Sequence, residues 1–188
     1  MKEIFIEKTV LDDLNHPGIV KFYQSFMDLK TKHLYFLLEH CSGGSLSDFL
    51  VKQRSLSVPL ARHFTAEIIL ALEYLRKKEI VHRDLKPGNV VLDNDMHIKL
   101  IDFATCKLFN KALDAKAEKM YMATQPKNPD NLEVPSAEET DRLNSLVGTD
   151  DYLAPETIEG TGVSYASDLW SLGVMLFQLL TGKVPYKN

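Results

Sequence analysis

Along the first fourteen residues, apolar side chains recur at Ile4, Ile6, Val10, Leu11 and Leu14, roughly the spacing of one helical face. The pattern predicts a helix that stops near Asn15-His16-Pro17-Gly18, where proline and glycine cannot continue it. Two apolar and aromatic runs follow, Val20 to Phe26 and His33 to Glu39, separated by a polar turn from Asp28 to Lys32, which predicts a β-hairpin. Cys41-Ser42-Gly43-Gly44-Ser45 interrupts regular structure, and Leu46 to Lys52 reads as a short helix capped by Ser45. Leu60, Phe64, Ile68, Leu72 and Leu75 then mark a longer helix over Pro59 to Lys78, with proline at its start.

Val90 to Leu92 and His97 to Ile101 flank Asp93-Asn94-Asp95 and predict a second hairpin, which ends at Asp102. Between Phe109 and Asn144 the apolar periodicity lapses and Lys, Asp, Glu, Asn and Pro dominate, so a mobile loop is expected there. Beyond it, Ser167 is a candidate cap for an apolar helix over Asp168 to Leu180, ended by Thr181-Gly182 and Pro185. That helix is apolar almost all round, which predicts a central, buried element.

Composition narrows the class. The 188 residues are 45% hydrophobic, enough for one globular core. Net charge is -4, from 22 basic and 26 acidic residues, with no basic block that would bring the chain to nucleic acid or an anionic membrane. Cys41 and Cys106 are the only cysteines, without a CxxC or a His/Cys cluster, so the sequence suggests neither a disulfide framework nor a zinc site and fits a reducing compartment. No apolar run reaches a membrane span and no leader-like segment opens the chain. A soluble, cytoplasmic protein is the expectation.

The chemistry concentrates in His82-Arg83-Asp84-Leu85-Lys86-Pro87-Gly88-Asn89, followed by Asp102-Phe103-Ala104 and later by Ala154-Pro155-Glu156. Moving a γ-phosphoryl group demands an oriented hydroxyl, divalent metal between the phosphates and cations against developing charge. Asp84 is the candidate acceptor for a substrate hydroxyl proton, Lys86 the candidate cation beside the γ-phosphate, and Asn89 and Asp102 the candidate hard-oxygen ligands of Mg2+. His82 and Phe103 are expected to pack beneath them. These motifs arrive in the order of the protein-kinase signature, and Lys86 together with Gly148-Thr149 ahead of Ala154-Pro155-Glu156 matches the serine/threonine pattern, which adds Thr149 to the catalytic set.

Nearly the whole chain resembles serine/threonine protein kinase catalytic domains of AGC type, within them the phosphoinositide-dependent group. Beyond the catalytic motifs, the likeness runs through EKTVLDDLNHPGIVKFYQSF, FTAEIILALEYL and SDLWSLGVMLFQLLTGKVPY. The resemblance implies an α+β, protein-kinase-like fold. Residues 1–40 would be the remainder of a small lobe (helix C and the following strands), and 41–188 a mainly helical large lobe as far as its central buried helix. Residues 109–144 would be a mobile insertion in the activation segment.

The resemblance also implies ATP and Mg2+ as cofactors and a protein substrate. Glu7 matches the helix-C glutamate that anchors an ATP-binding lysine, and Leu11, Phe22, His82 and Phe103 match a stacked regulatory spine. Leu38 matches the gatekeeper; the backbone of Glu39 and Cys41 would bond adenine, with Leu46 and Val91 packed on its ring. Ser145 falls at the activating phosphorylation position, where a phosphate would pair with Arg83 and Lys107. Glu156 would pair with an arginine of the large lobe, and Asp168 would brace the catalytic loop.

The pattern also departs from the family. Neither G-x-G-x-x-G nor a V-A-I-K-like lysine precedes Glu7, Ala104 stands where the family carries glycine, and Gly88 and Ser45 replace acidic residues that many AGC kinases carry. The span from Asp102 to Glu156 exceeds the usual activation segment. Three readings stay open at this stage: an active kinase, a pseudokinase or docking module, and a fragment that binds ATP poorly because the phosphate clamp lies outside it.

Overall fold

The computed structural model describes residues 2–28, 30–31, 33–124 and 150–186. Helix α1 (Lys2–Asp13) buries Thr9, Val10 and Leu11 and stops three residues ahead of His16, as the Pro-Gly pair requires. Strands β1 (Phe22–Asp28) and β2 (His33–Leu38) pair antiparallel from Phe22 opposite Leu38 to Asp28 opposite His33. The hairpin leaves large side chains open: Phe26, Tyr35 and Leu37 are exposed on one face, Tyr23 and Met27 are exposed as well, and Phe26 stacks on Tyr35 at 5.1 Å.

Helix α2 (Leu46–Gln53) starts in a capping box, in which the Ser45 hydroxyl accepts from Asp48 N–H and the Asp48 carboxylate accepts from Ser45 N–H. Helix α3 (Val58–Lys77) buries Ala61, Phe64, Ile68, Ala71, Leu72 and Leu75, the apolar stripe visible in its sequence. It begins one residue earlier than its proline suggests, since Ser57 is the N-cap. The remaining strands form two short antiparallel pairs, β3 (Ile80–Val81) with β6 (Lys107–Leu108) and β4 (Val90–Leu92) with β5 (Ile98–Leu100). Val20 N–H donates to Leu100 O (3.0 Å) and Leu100 N–H to Gly18 O (2.9 Å), so β5 carries the segment that leads into β1.

Three expectations need correction. The stretch after Phe109 is not a loop throughout: Lys111–Ala123 is helix α4. Asn110 caps it through Ala112 and Leu113 N–H, and its run of Ala, Lys, Leu and Met has high helix propensity. It docks on α1 by burying Leu113 and Ala117, with ion pairs from Lys116 to Asp12 (2.9 Å) and Lys2 to Glu118 (2.6 Å). The weak apolar pattern concealed it because only a narrow stripe is buried. Residues 125–144 of that segment, and Ser145, Gly148 and Thr149 beyond it, lie outside the described residues.

After a 3-10 turn (Asp150–Tyr152) and helix α5 (Pro155–Ile158), helix α6 (Tyr165–Thr181) closes the described chain. Its N-cap is Ser164, not Ser167. Ser167 is the third helical residue and its hydroxyl oxygen accepts from Ser164 N–H, so both serines serve one capping box. Nor is α6 buried all round: Leu172, Val174, Met175 and Leu179 are interior, whereas Leu169, Trp170, Phe177 and Leu180 are exposed. At its end Gly182 has φ 74°, and a Cβ there would sit 2.4 Å from Arg54 O, so only glycine fits. No helix among the described residues is long and apolar enough to cross a membrane. Core residues from α1, α3, β4, β5 and α6 join in one α+β cluster that includes the fully buried Phe64, Leu92, Phe103 and Met175.

Candidate active site

The loop from His82 to Asn89 leaves β3 and enters β4, and buried groups on both sides fix its course. His82 is fully buried, and its two ring nitrogens have different partners. Nε2 lies 3.1 Å from Ile101 O, and Nδ1 accepts weakly from Asp84 N–H (3.4 Å), a pairing that fits the tautomer with its proton on Nε2. Its ring packs 5.0 Å from that of Phe103, also fully buried. From α6, Asp168 accepts from His82 N–H (2.8 Å, Oδ2) and Arg83 N–H (2.9 Å, Oδ1). Burial pushes the Asp168 carboxyl above its ordinary value, opposed by His82, by these two N–H groups and by Arg83. Arg83 itself has φ 71°, a left-handed conformation that the Asp168 clamp maintains.

Within the loop, Lys86 Nζ contacts both oxygens of Asp84, at 3.0 and 2.7 Å. Asn89 Nδ2 donates to the carbonyl of Asp84 (2.8 Å) and to its Oδ2 (2.8 Å), which commits the amide nitrogen and leaves the amide oxygen as a hard ligand. Ile101 N–H donates to Asn89 O (3.1 Å), so the chain beyond β5 is tied to the loop and Asp102 is delivered beside Asn89. Asp102 is exposed and has φ 65°. That positive φ lies at Asp102 and not at Ala104, so alanine in place of glycine is unstrained in this conformation.

Glu7 reaches this group from α1. Burial, then the Asp102 carboxylate, holds its carboxyl above the ordinary value, while a hydrogen bond from Phe103 N–H acts the other way. No lysine pairs with it among the described residues, and the repulsion between Glu7 and Asp102 marks a place that favours a cation. The oxygen donors of Asn89 and Asp102 suit Mg2+ chemically, so the residues present fit the ion.

Leu11, His82 and Phe103, expected from the resemblance to stack in a spine, are buried, and Phe22 is packed against the core. Of the residues expected at an adenine ring, Leu46 is fully buried, Val91 forms a β-bridge with Ser45, and Leu38 packs on the core. The hinge needs one adjustment. Glu39 N–H already donates to Lys21 O (2.8 Å), and its carboxylate pairs with Lys99 (2.9 Å) and accepts from Lys21 N–H (3.1 Å), so of its backbone only the carbonyl is left for a ligand. Cys41 is half-buried. Lys107, paired with Val81, and Arg83 sit near one end of the β3–β6 ladder.

Glu156 does not meet an arginine among the described residues; its Oε1 accepts from the Ser167 hydroxyl at 2.7 Å, which joins α5 to the cap of α6. Sequence reasoning missed two groupings. One is the Glu39–Lys99 pair. The other gathers His63 and Glu67 of α3 with His97, their donor atoms within 4.8 Å of one another, although no metal-ligand spacing is visible in the sequence. The helical separation of His63 and Glu67 was the single available signal.

Comparison with known proteins agrees with this geometry. The family model described as "Protein kinase domain" matches residues 1–188. The chain is 38% identical over 184 residues to 3-phosphoinositide-dependent protein kinase 1 of Arabidopsis thaliana, covering 97% of this chain and 33% of that protein. It is 37% identical over 187 residues to 3-phosphoinositide-dependent protein kinase B of Dictyostelium discoideum, 100% of this chain and 18% of that protein. It is 38% identical over 188 residues to serine/threonine-protein kinase PKH2 of Saccharomyces cerevisiae, 100% of this chain and 16% of that protein. The chain thus spans about a third or less of the length of these relatives. With the loop, the strand end and the clamp from α6 all in place, this chain belongs to the protein kinase domain family and within it resembles the phosphoinositide-dependent kinases of AGC type.

Proposed function

We propose that this chain provides the catalytic loop and metal ligands for transfer of the γ-phosphoryl group of ATP to a serine or threonine hydroxyl of a protein substrate. The observation that carries the reading is the single hydrogen-bonded group formed by Asp84, Lys86 and Asn89, tied by Ile101 N–H to the strand end that bears Asp102. Asp84 accepts the hydroxyl proton as the new O–P bond forms and the bond from phosphorus to the leaving ADP oxygen breaks. Lys86, within reach of the same carboxylate, offsets charge on the transferring group. Asn89 and Asp102 would hold Mg2+, which supplies charge neutralisation between the phosphates. Leu38, Leu46 and Val91 would enclose adenine, with the Glu39 carbonyl and Cys41 backbone as its polar partners. Ser145, when phosphorylated, would pair with Arg83 and Lys107, and Thr149 would complete the substrate side.

The test is magnesium-dependent transfer from ATP to a serine-containing peptide, measured with the complete gene product. Asp84→Asn is expected to lower the rate by roughly 10²–10⁴-fold, the usual contribution of a positioned base. Asp102→Ala is expected to abolish it; equal activity in that variant would sink the proposal. A docking module is the second reading, favoured by the absence of a lysine partner for Glu7 among the described residues. Calorimetry separates the two, because a docking module shows no magnesium-dependent heat of ATP binding.

A further inference from the structure

At the opposite end of β5 from Asp102, His97 enters the strand beside the exposed side of α3. Five residues of extended chain put this place about 16 Å from the catalytic strand end. His63 and Glu67 stand one helical turn apart on α3 and face it together. His63 Nε2 is 3.5 Å and His97 Nδ1 is 2.5 Å from Glu67 Oε1. The two imidazole rings lie 5.7 Å apart and tilted by 53°, so they converge on the carboxylate instead of stacking on each other.

We propose that His63, Glu67 and His97 form a three-ligand site for a divalent transition-metal ion, zinc by its donor set, which fastens α3 to the start of β5. Two imidazole nitrogens and one carboxylate oxygen make a ligand set that zinc accepts, with a fourth position for water. Tetrahedral zinc with bonds of about 2.0–2.1 Å places its donors roughly 3.3 Å apart. The His63–Glu67 spacing already meets this, the exposed His97 ring has to withdraw from Glu67 by under an ångström, and the two imidazole donors lie within 4.8 Å of each other, close enough to converge by side-chain rotation. The carboxylate is held in advance: its other oxygen, Oε2, accepts from Ile98 N–H at 2.9 Å, an outer bond of the kind that orients metal-ligating carboxylates. The His63 and His97 side chains are 47% and 55% exposed, so an ion reaches them without opening the fold. The site joins α3 to a residue thirty or more positions further along the sequence, so occupancy stabilises the folded chain. With free zinc at 100 times its dissociation constant, the unfolding equilibrium constant falls about 100-fold.

The experiment is calorimetric titration of the metal-free chain with zinc chloride alone. One equivalent is expected to bind, and His63→Ala and His97→Ala are each expected to weaken binding at least tenfold. Glu67→Gln keeps an oxygen for Ile98 N–H, so the fold is retained while the charged ligand is lost, and it is expected to weaken binding as well. His33→Ala, an exposed histidine elsewhere, is expected to leave it unchanged, and magnesium chloride is expected to give no heat at this site. Cobalt chloride provides a second readout, the visible absorption of a tetrahedral Co2+ complex, which disappears in the two histidine variants. Absence of zinc binding, or binding that both histidine variants retain, overturns the proposal and reduces the cluster to an ion-pair network.

Discussion

Replacing Asp168 by alanine removes a side chain that accepts from two consecutive backbone N–H groups of the His82–Asn89 loop, at 2.8 and 2.9 Å. Each buried donor left without a partner costs about 1–3 kcal/mol, so the pair represents roughly 2–6 kcal/mol. Part of this is offset, because the variant no longer has to bury a carboxylate whose burial already pushes its pKa upward. A net loss of about 2–4 kcal/mol is expected, a large share of the roughly 5–15 kcal/mol that holds a typical domain folded. Loss of the clamp also frees Arg83 to leave its left-handed conformation, so the loop relaxes before the fold is lost. Equilibrium urea unfolding followed by far-UV circular dichroism measures the effect. With a slope of about 2 kcal/mol/M, the midpoint should fall by roughly 1–2 M. Asp168→Asn keeps one acceptor and should lose about half as much. Stability of Asp168→Ala within about 0.5 kcal/mol of wild type would refute the reasoning, since a change that small is typical of an uninvolved surface position.

Other expectations follow from the same geometry. Glu7 has a folded-state pKa raised above its ordinary 4.5, so between that value and the raised one the native chain holds a proton that the unfolded chain has released. Stability therefore falls as pH rises through that window, and Glu7→Gln should flatten the decline in melting temperature there; an unchanged slope would show that Glu7 is not its source. Gly43→Ala places a Cβ 2.7 Å from Leu92 Cβ and 2.8 Å from Leu92 O, and should destabilise by about 1–3 kcal/mol in a thermal melt. Gly88→Ala meets nothing within 4 Å and should stay within about 0.5 kcal/mol of wild type; the reverse order would contradict the packing described.

Most of what local chemistry controls was readable in the chain. Helix α3 announces itself through Phe64, Ile68, Leu72 and Leu75, α2 through Ser45, and the β4–β5 hairpin through its polar turn, because each signal lies within a few residues of its consequence. The grouping of Asp84, Lys86 and Asn89 was legible for the same reason. Helix α4 was not, since its polar surface looked like loop and its narrow buried stripe, Leu113 and Ala117, has meaning only against α1. The open flank of α6 was misjudged because a uniformly apolar helix does not say which of its faces finds a partner.

By itself, then, the order of motifs along this chain determined its family and its candidate catalytic residues, since these depend on spacing that the backbone transmits over short distances. Tertiary structure alone decided that Asp168 holds His82 and Arg83, that the Glu39 N–H is already committed to Lys21, that Ser167 meets Glu156, and that His97 comes beside His63 and Glu67. These groups are separated by eleven to eighty-six residues. Their meeting depends on how whole elements pack around one core, and that packing follows from the summed burial of many side chains, which no local pattern encodes.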